Sequence, residues 1–176
     1  MAESRAQILA LHSARVAAFR ELDAAFRQFL LDEQELIFGR AVAAATAEFS
    51  RISAAVLAVA EACGDDGVRD AVGRLQRAEQ AHLAATVRLQ TLQKAHFIDA
   101  ARALRTEEEI RRAERSGTNV VDAHAHCEHH PVSSLADKVV PFDEIYNRQA
   151  AHAAKDIAQA TEVVNDVIEE LREDVY

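Results

Sequence analysis

The sequence predicts an all-α protein: an elongated antiparallel four-helix bundle, or coiled-coil-like assembly, with a long third helix. The chain of 176 residues contains only 5 glycines and 2 prolines. Its dominant residues (alanine, leucine, glutamate, arginine and glutamine) lose little side-chain freedom in a helix. Apolar residues also recur at steps of three and four in four long segments, which places them on one helix face. We expect a single domain over residues 1–176, interrupted by an irregular His-rich loop at about 118–141.

The first predicted helix runs from about Glu3 to Leu31. Ser4 is a suitable N-cap because its side-chain oxygen can accept a hydrogen bond from a free backbone N–H. The apolar pattern lapses after Leu31, and Gly39 predicts a bend or turn there. The apolar stripe includes Ile8, Leu9, Leu11, Val16, Phe19, Leu22, Phe26, Phe29 and Leu30.

The second predicted helix has the most regular pattern, a heptad seam sustained for three repeats. It ends in "CGDDG", where Gly64 can close the helix in the left-handed conformation and Asp65 or Asp66 can cap the next one. A link this short makes the two neighbouring helices antiparallel. Cys63 on the seam is interpreted as a small buried hydrophobe. The seam consists of Val42, Ala45, Phe49, Ile52, Val56, Val59 and Cys63.

The third predicted helix starts near Asp66, and no proline follows until Pro131. The sequence leaves open whether this helix is continuous. If it is, about 50 residues at about 1.5 Å each make a rod on the order of 75 Å long. Such a rod is longer than the first two helices, so its far end would protrude.

The last predicted helix runs from about Asp143 to Asp174 and carries a second strict seam. Many seam positions are alanine, which predicts close helix approach and a thin core. The seam consists of Tyr146, Ala150, Ala153, Ile157, Ala160, Val164, Val167 and Leu171.

The net charge is −9, which argues against a protein whose main task is gripping phosphate backbones, because that task needs a basic face. We therefore expect protein partners and no direct nucleic-acid binding. From Phe142 onward nine acidic side chains are opposed only by Arg148, Lys155 and Arg172. This excess suits a basic partner surface, although a solvated helix face is the simpler interpretation.

Cysteine content and hydropathy indicate the kind of compartment in which the protein is expected. Cys63 and Cys127 do not make a disulfide framework, so we expect a reducing compartment. No apolar run approaches the roughly 18 residues of a membrane span, and we expect no membrane partner. Homo-oligomerisation stays open.

No catalytic residue is predicted, and no cofactor. The sequence holds no Gly-rich phosphate loop, no serine elbow and no metal-binding His-Glu-x-x-His helix. The lone His82 is interpreted as a satisfied packing residue. The four phenylalanines at helical spacing are interpreted as core and not as a base-stacking platform; they are Phe19, Phe26, Phe29 and Phe49.

One short stretch, "NVVDAHAHCEHHPV", contains residues of the types that bind zinc or copper. Zinc frameworks normally use two well-separated pairs of ligands, whereas all of these residues come from one short piece. We therefore predict no specific metal site and interpret the stretch as a polar loop, with a metal-binding protein kept as an alternative. The metal candidates are His124, His126, Cys127, His129 and His130.

Four pieces of the chain, in order, resemble the Required-for-excision B-type domain family. They are "QILALHSARVAAFRELDAAFRQFL", "FGRAVAAATAEFSRISAAVLAVAEA", "VGRLQRAEQAHLAATVRLQTLQ" and "QAAHAAKDIAQATEVVNDVIEELREDV". The chain departs from the family between about Lys94 and Pro141. The resemblance implies a role in DNA excision repair, in the nucleus, and supplies no catalytic or ligand residues.

We therefore expect a non-enzymatic helical adaptor that acts in DNA excision repair through contacts with repair proteins. The protruding part of the third helix and the acidic last helix would offer docking surfaces. The alternative is a structural coiled-coil subunit of a cytoskeletal or ciliary assembly, located in the cytoplasm or the cilium.

Overall fold

The computed structural model describes residues 2–116 and 143–173, and within these ranges it confirms the all-α prediction. The helices are α1 (Ala2–Asp32), α2 (Glu35–Cys63), α3 (Asp66–Lys94), α4 (Ala100–Ser116) and α5 (Glu144–Glu173). A π-helical turn at Ala95–Asp99 joins α3 directly to α4. The third predicted helix is thus one continuous helical run with a single irregular turn.

Helices α1, α2, α3 and α5 form the predicted antiparallel bundle. Helix α3 runs antiparallel to α5. Two contacts show this: Arg74 near the start of α3 pairs with Glu170 near the end of α5, and His96 just after α3 stacks on Tyr146 near the start of α5. The two rings of that stack lie 3.9 Å apart and nearly parallel. Helices α1 and α2 form the second hairpin, and the α1–α2 hairpin packs on the α3–α5 hairpin.

The turn between α1 and α2 lies at Glu33 and Gln34, so the prediction of a bend or turn at Gly39 was wrong. Glu33 adopts the left-handed conformation (φ 57), and Asp32 accepts a hydrogen bond from the Gln34 backbone N–H at 3.0 Å. A short side-chain acceptor can thus replace glycine in making the turn. Gly39 lies inside α2. Helix α1 already begins at Ala2, which places Ser4 within the helix and not at its cap.

The turn between α2 and α3 forms as the sequence predicted. Gly64 closes α2 in the left-handed conformation (φ 69). Asp65 caps α3 by accepting hydrogen bonds from the backbone N–H groups of Gly67 at 2.8 Å and Val68 at 3.3 Å. Asp143 caps α5 in the same way. Acceptors of this kind satisfy the free N–H groups of a first helical turn.

The buried residues form two separate clusters. The larger cluster lies at the α2–α3 turn end of the bundle, where both predicted seams are buried. The smaller cluster lies at the α1–α2 turn end. The larger one includes Ile8, Ile52, Val56, Val72, Leu75, Val167 and Leu171, and the smaller one consists of Phe26, Phe29, Leu30 and Ile98, with Phe38 and Phe97 packed against it.

The π turn brings Ile98 into the smaller cluster, where it is fully buried. Beyond it, Arg102 and Arg105 both pair with Glu33, at 2.9 and 3.1 Å. The α1–α2 turn is therefore tied to the start of α4. The hydrogen bond that Arg102 donates to the Glu33 carboxylate raises the pKa of Arg102 above its ordinary value.

Helix α2 is the most apolar helix of the described chain. By length and composition alone it could cross a membrane, since an 18-residue window has a mean hydropathy of 1.4, with 17% of the window buried in the bundle. One such helix is weak evidence for a membrane, because core helices and signal sequences meet the same criterion. The expectation of no membrane partner stays a prediction.

The two glycines at Gly39 and Gly64 should respond with opposite signs to replacement by alanine. Gly39→Ala should stabilise the fold by about 0.5–1 kcal/mol, because alanine favours a helix interior and a Cβ there meets nothing within 4 Å. Gly64→Ala should destabilise it by about 1 kcal/mol, because its left-handed φ disfavours a Cβ. Urea unfolding followed by circular dichroism measures both, and equal signs would contradict the assigned turn.

Candidate functional site

A buried ion pair occupies the middle of the bundle, where the seam pattern would place apolar residues. Arg15 stands seven residues after Ile8 and seven before Leu22, on the buried face of α1. Glu79 stands seven residues after Val72 on the buried face of α3. Both charged side chains are 7% exposed. The heptad positions of two helices therefore bring opposite charges together inside the bundle.

The pair has further polar partners on the neighbouring helices. The Arg15 guanidinium donates to the Glu79 carboxylate through Nη1 and to the Ser53 hydroxyl through Nη2, the latter at 2.6 Å. The His12 Nδ1 lies 3.2 Å from the second oxygen of Glu79. Burial lowers the pKa of Arg15, and the adjacent Glu79 carboxylate opposes that shift. A buried charge is tolerated when it is paired and hydrogen-bonded in this way.

His82 lies one helical turn beyond Glu79 and packs edge-on against Phe19, with ring centroids 5.0 Å apart. Its predicted packing role is confirmed. Its Nδ1 is buried and has no hydrogen-bond partner among the described residues, so the prediction of a satisfied polar group was wrong. Burial lowers the pKa of His82, opposed by the charge of Glu79. The shift favours the neutral form of the ring.

Two apolar grooves lie on either side of α1 between the two buried clusters. The first, the α2–α3 groove, has a volume of about 720 Å³. Its apolar lining consists of Phe19, Phe38, Val42, Phe49, Leu83 and Val87. The second, the α1–α5 groove, has a volume of about 690 Å³ and includes Val16, Leu30, Leu89, Ile157 and Val164. Six residues line both grooves and so form the wall between them: Arg15, Phe19, Leu22, Phe26, Glu79 and Gln90.

The grooves show that the central part of the bundle is incompletely packed. Val42 is 39% exposed and Val87 52% exposed, although both carry seam-type apolar side chains. Phe26 and Phe29 are buried as predicted. Phe19 and Phe49 are half-buried, and their ring centroids lie 4.5 Å apart. Concave, mostly apolar surfaces with a few polar groups are typical of binding sites. This open middle is the candidate functional site.

The metal candidates of the His-rich loop, with the loop itself (about 118–141), lie outside the described residues, so the prediction of no specific metal site stays untested. They are His124, His126, Cys127, His129 and His130. Among the described residues, no group of three or more His, Cys, Asp or Glu is arranged to hold a metal ion. Cys63 packs against the larger cluster, as the seam predicted.

The acidic last helix uses part of its charge within the bundle. Glu170 accepts from Arg74 at 2.6–2.7 Å, and Asp156 accepts from Arg88. The hydrogen bonds that Arg74 donates to Glu170 raise the pKa of Arg74 above its ordinary value. Since these pairs are largely exposed, each contributes little to stability.

A family model described as DNA repair REX1-B matches residues 4–93, just over half of the chain. The match covers α1, α2 and nearly all of α3, and with them the Arg15–Glu79 pair. It ends one residue before Lys94, where the sequence was expected to depart from the family. The last of the four resembling pieces, on α5, lies outside the matched residues. No curated protein and no solved structure matches the chain.

Removing one partner of the buried pair should be far more costly than removing one partner of a surface pair. Glu79→Ala should destabilise the fold by about 3–5 kcal/mol, because it leaves the Arg15 charge buried without a counter-ion. Glu170→Ala, the matched control, should cost far less, because its partner Arg74 stays in contact with water. Urea unfolding of both variants measures the difference, and similar costs would contradict a buried network.

The lowered pKa of His82 should make the fold less stable in mild acid. Because its pKa is lowered in the folded chain, the unfolded chain binds the proton more readily. The stability that neutral His82 contributes is therefore present above the unfolded pKa of about 6.5 and declines as the pH falls below it. Between about pH 7.5 and 5.5 the urea midpoint should fall more for the native chain than for His82→Gln. The exposed His152→Gln should behave like the native chain; a native-like fall in His82→Gln would refute the assignment.

Proposed function

The chain belongs to the DNA repair REX1-B family, and from that membership we propose that it is a non-enzymatic helical adaptor taking part in DNA excision repair. The family match over residues 4–93 carries the association with repair. The open middle of the bundle supports an adaptor that works through protein–protein contacts. We place its action in the nucleus, where the DNA to be repaired lies.

The charge and shape of the described residues support contacts with protein over contacts with DNA. The chain carries a net charge of −9, whereas proteins that grip duplex DNA present a basic face. The surface of both grooves is mostly apolar, and aliphatic and aromatic side chains lie there among polar ones. Protein partners commonly insert such side chains into each other's pockets, where they supply most of the binding energy.

A null strain tests the repair role. Loss of the chain should lower survival after ultraviolet irradiation, because bulky photoproducts would persist, and re-expression of the native chain should restore survival. Native affinity purification of the tagged chain should recover repair proteins. Normal ultraviolet tolerance of the null strain, together with the absence of repair proteins from the purified material, would overturn the proposal. An axonemal or filament location of the tagged chain would favour the structural alternative.

A further inference from the structure

The α2–α3 groove has the dimensions of a helix-binding site. Its α3 wall extends from Gln76 to Lys94 and its α2 wall from Phe38 to Ser53. At a rise of about 1.5 Å per residue, these walls are about 27 and 22 Å long. An amphipathic helix of about 15–18 residues would span the same distance. Such helices bind by laying an apolar face into a groove of this kind.

The rim of the groove is positively charged, although the whole chain is acidic. Arg77 lines the groove, is exposed, and forms no ion pair with a described residue. Lys94 lies 3.9 Å from Glu35, and both side chains of that pair are largely exposed, so the lysine stays available to a partner. Deeper in the groove, the charges of Arg15 and Glu79 cancel. The local excess is therefore cationic.

A polar group in the groove also lacks a partner. The side-chain amide nitrogen of Gln76 is buried and donates no hydrogen bond to any described residue. An unsatisfied buried donor costs about 1–3 kcal/mol. If the Gln76 side chain rotates toward the groove, a carboxylate or carbonyl from a bound partner would accept this bond and remove that cost.

We propose that the α2–α3 groove binds an amphipathic helix of a partner protein whose apolar stripe is flanked by acidic side chains. The apolar stripe would cover Val42, Leu83 and Val87, and the flanking carboxylates would pair with Arg77 and Lys94. The proposal deepens the proposed adaptor function, on which it rests, by giving the chemical class of the partner.

Fluorescence anisotropy with the full chain and two synthetic helical peptides of about 18 residues tests the groove. Both peptides carry leucine at helical spacing; one carries glutamate and the other lysine at the flanking positions. The glutamate peptide should bind at least about tenfold more tightly, because it complements the rim. Equal binding of the two peptides, or no binding of the glutamate peptide, would overturn the proposal.

Matched variants assign the binding to the groove. Val87→Asp should weaken binding of the glutamate peptide about tenfold. Leu57→Asp should change it less than about twofold, because Leu57 is similarly exposed (47%) and lies outside the groove. Both positions are exposed, so both variants should keep the native circular dichroism spectrum. Equal effects of the two variants would place the peptide elsewhere and sink the proposal.

Charge reversal gives a gain-of-binding readout. Arg77→Glu should strengthen binding of the lysine peptide and remove the native preference for the glutamate peptide, because Lys94 is then opposed by a carboxylate. Arg172→Glu on α5, with the same change in net charge, should leave the native preference in place. An unchanged preference in Arg77→Glu would refute the charge complementarity. Concentration-dependent self-association that Val87→Asp abolishes would show a second copy in the groove and refute the partner helix. These measurements are independent of ultraviolet survival, so failure of the groove and failure of the repair role can be told apart.

Discussion

The Arg15–Glu79 ion pair is the constraint on which the arrangement of the bundle depends. It places two charges at buried seam positions, where either charge would be costly without its partner. Ser53 and His12 supply additional partners and hold the pair in place. A pair of this kind contributes little net stability but is costly to break. We infer that its role is to fix how α1 and α3 face each other, as polar residues at seam positions fix the register of coiled coils.

The ion pair also divides the apolar interior. On one side of it, the seams of α2 and α5 close around Ile52, Leu75 and Leu171 with little exposure. On the other side, the next buried cluster begins only where Phe26 and Phe29 reach Ile98. Between these levels small residues such as Ala85 and Ala153 are buried, while larger apolar side chains such as Leu83 and Val87 line the grooves. The site thus follows from incomplete packing between two well-packed ends.

Much of this fold could be predicted from the spacing of apolar residues, because that spacing indicates both where helices form and which faces pack together. The seam from Ala45 to Val56 and the "CGDDG" link are sufficient to predict two antiparallel neighbours in α2 and α3. The turn at Glu33 could not be found this way, since it depends on a non-glycine residue in the left-handed conformation. Gly39 misled the prediction because the cost of glycine in a helix is small enough for packing to override it.

The candidate site was largely hidden from sequence reasoning. A signal for the ion pair did exist, because Arg15 interrupts the heptad series that runs from Ile8 to Leu22. Such an interruption can mark either a surface residue or a buried charge, and only the facing Glu79 decides between them. The grooves left no signal, since Leu83 and Val87 have the spacing of ordinary core residues. Whether such residues are covered depends on the distance between helices, which no local pattern records.

The π turn at Ala95–Asp99 follows almost directly after the region shared with the family. A π turn contains one residue more than an α-helical turn, and one residue corresponds to a rotation of about 100° around the helix axis. Everything beyond it is therefore turned by that angle relative to a regular continuation of α3. Without the added residue, Arg102 and Arg105 would point away from Glu33, and the extension would lose its attachment to the bundle. The turn thus sets the rotation at which α4 meets the bundle, just after the residues that match the family.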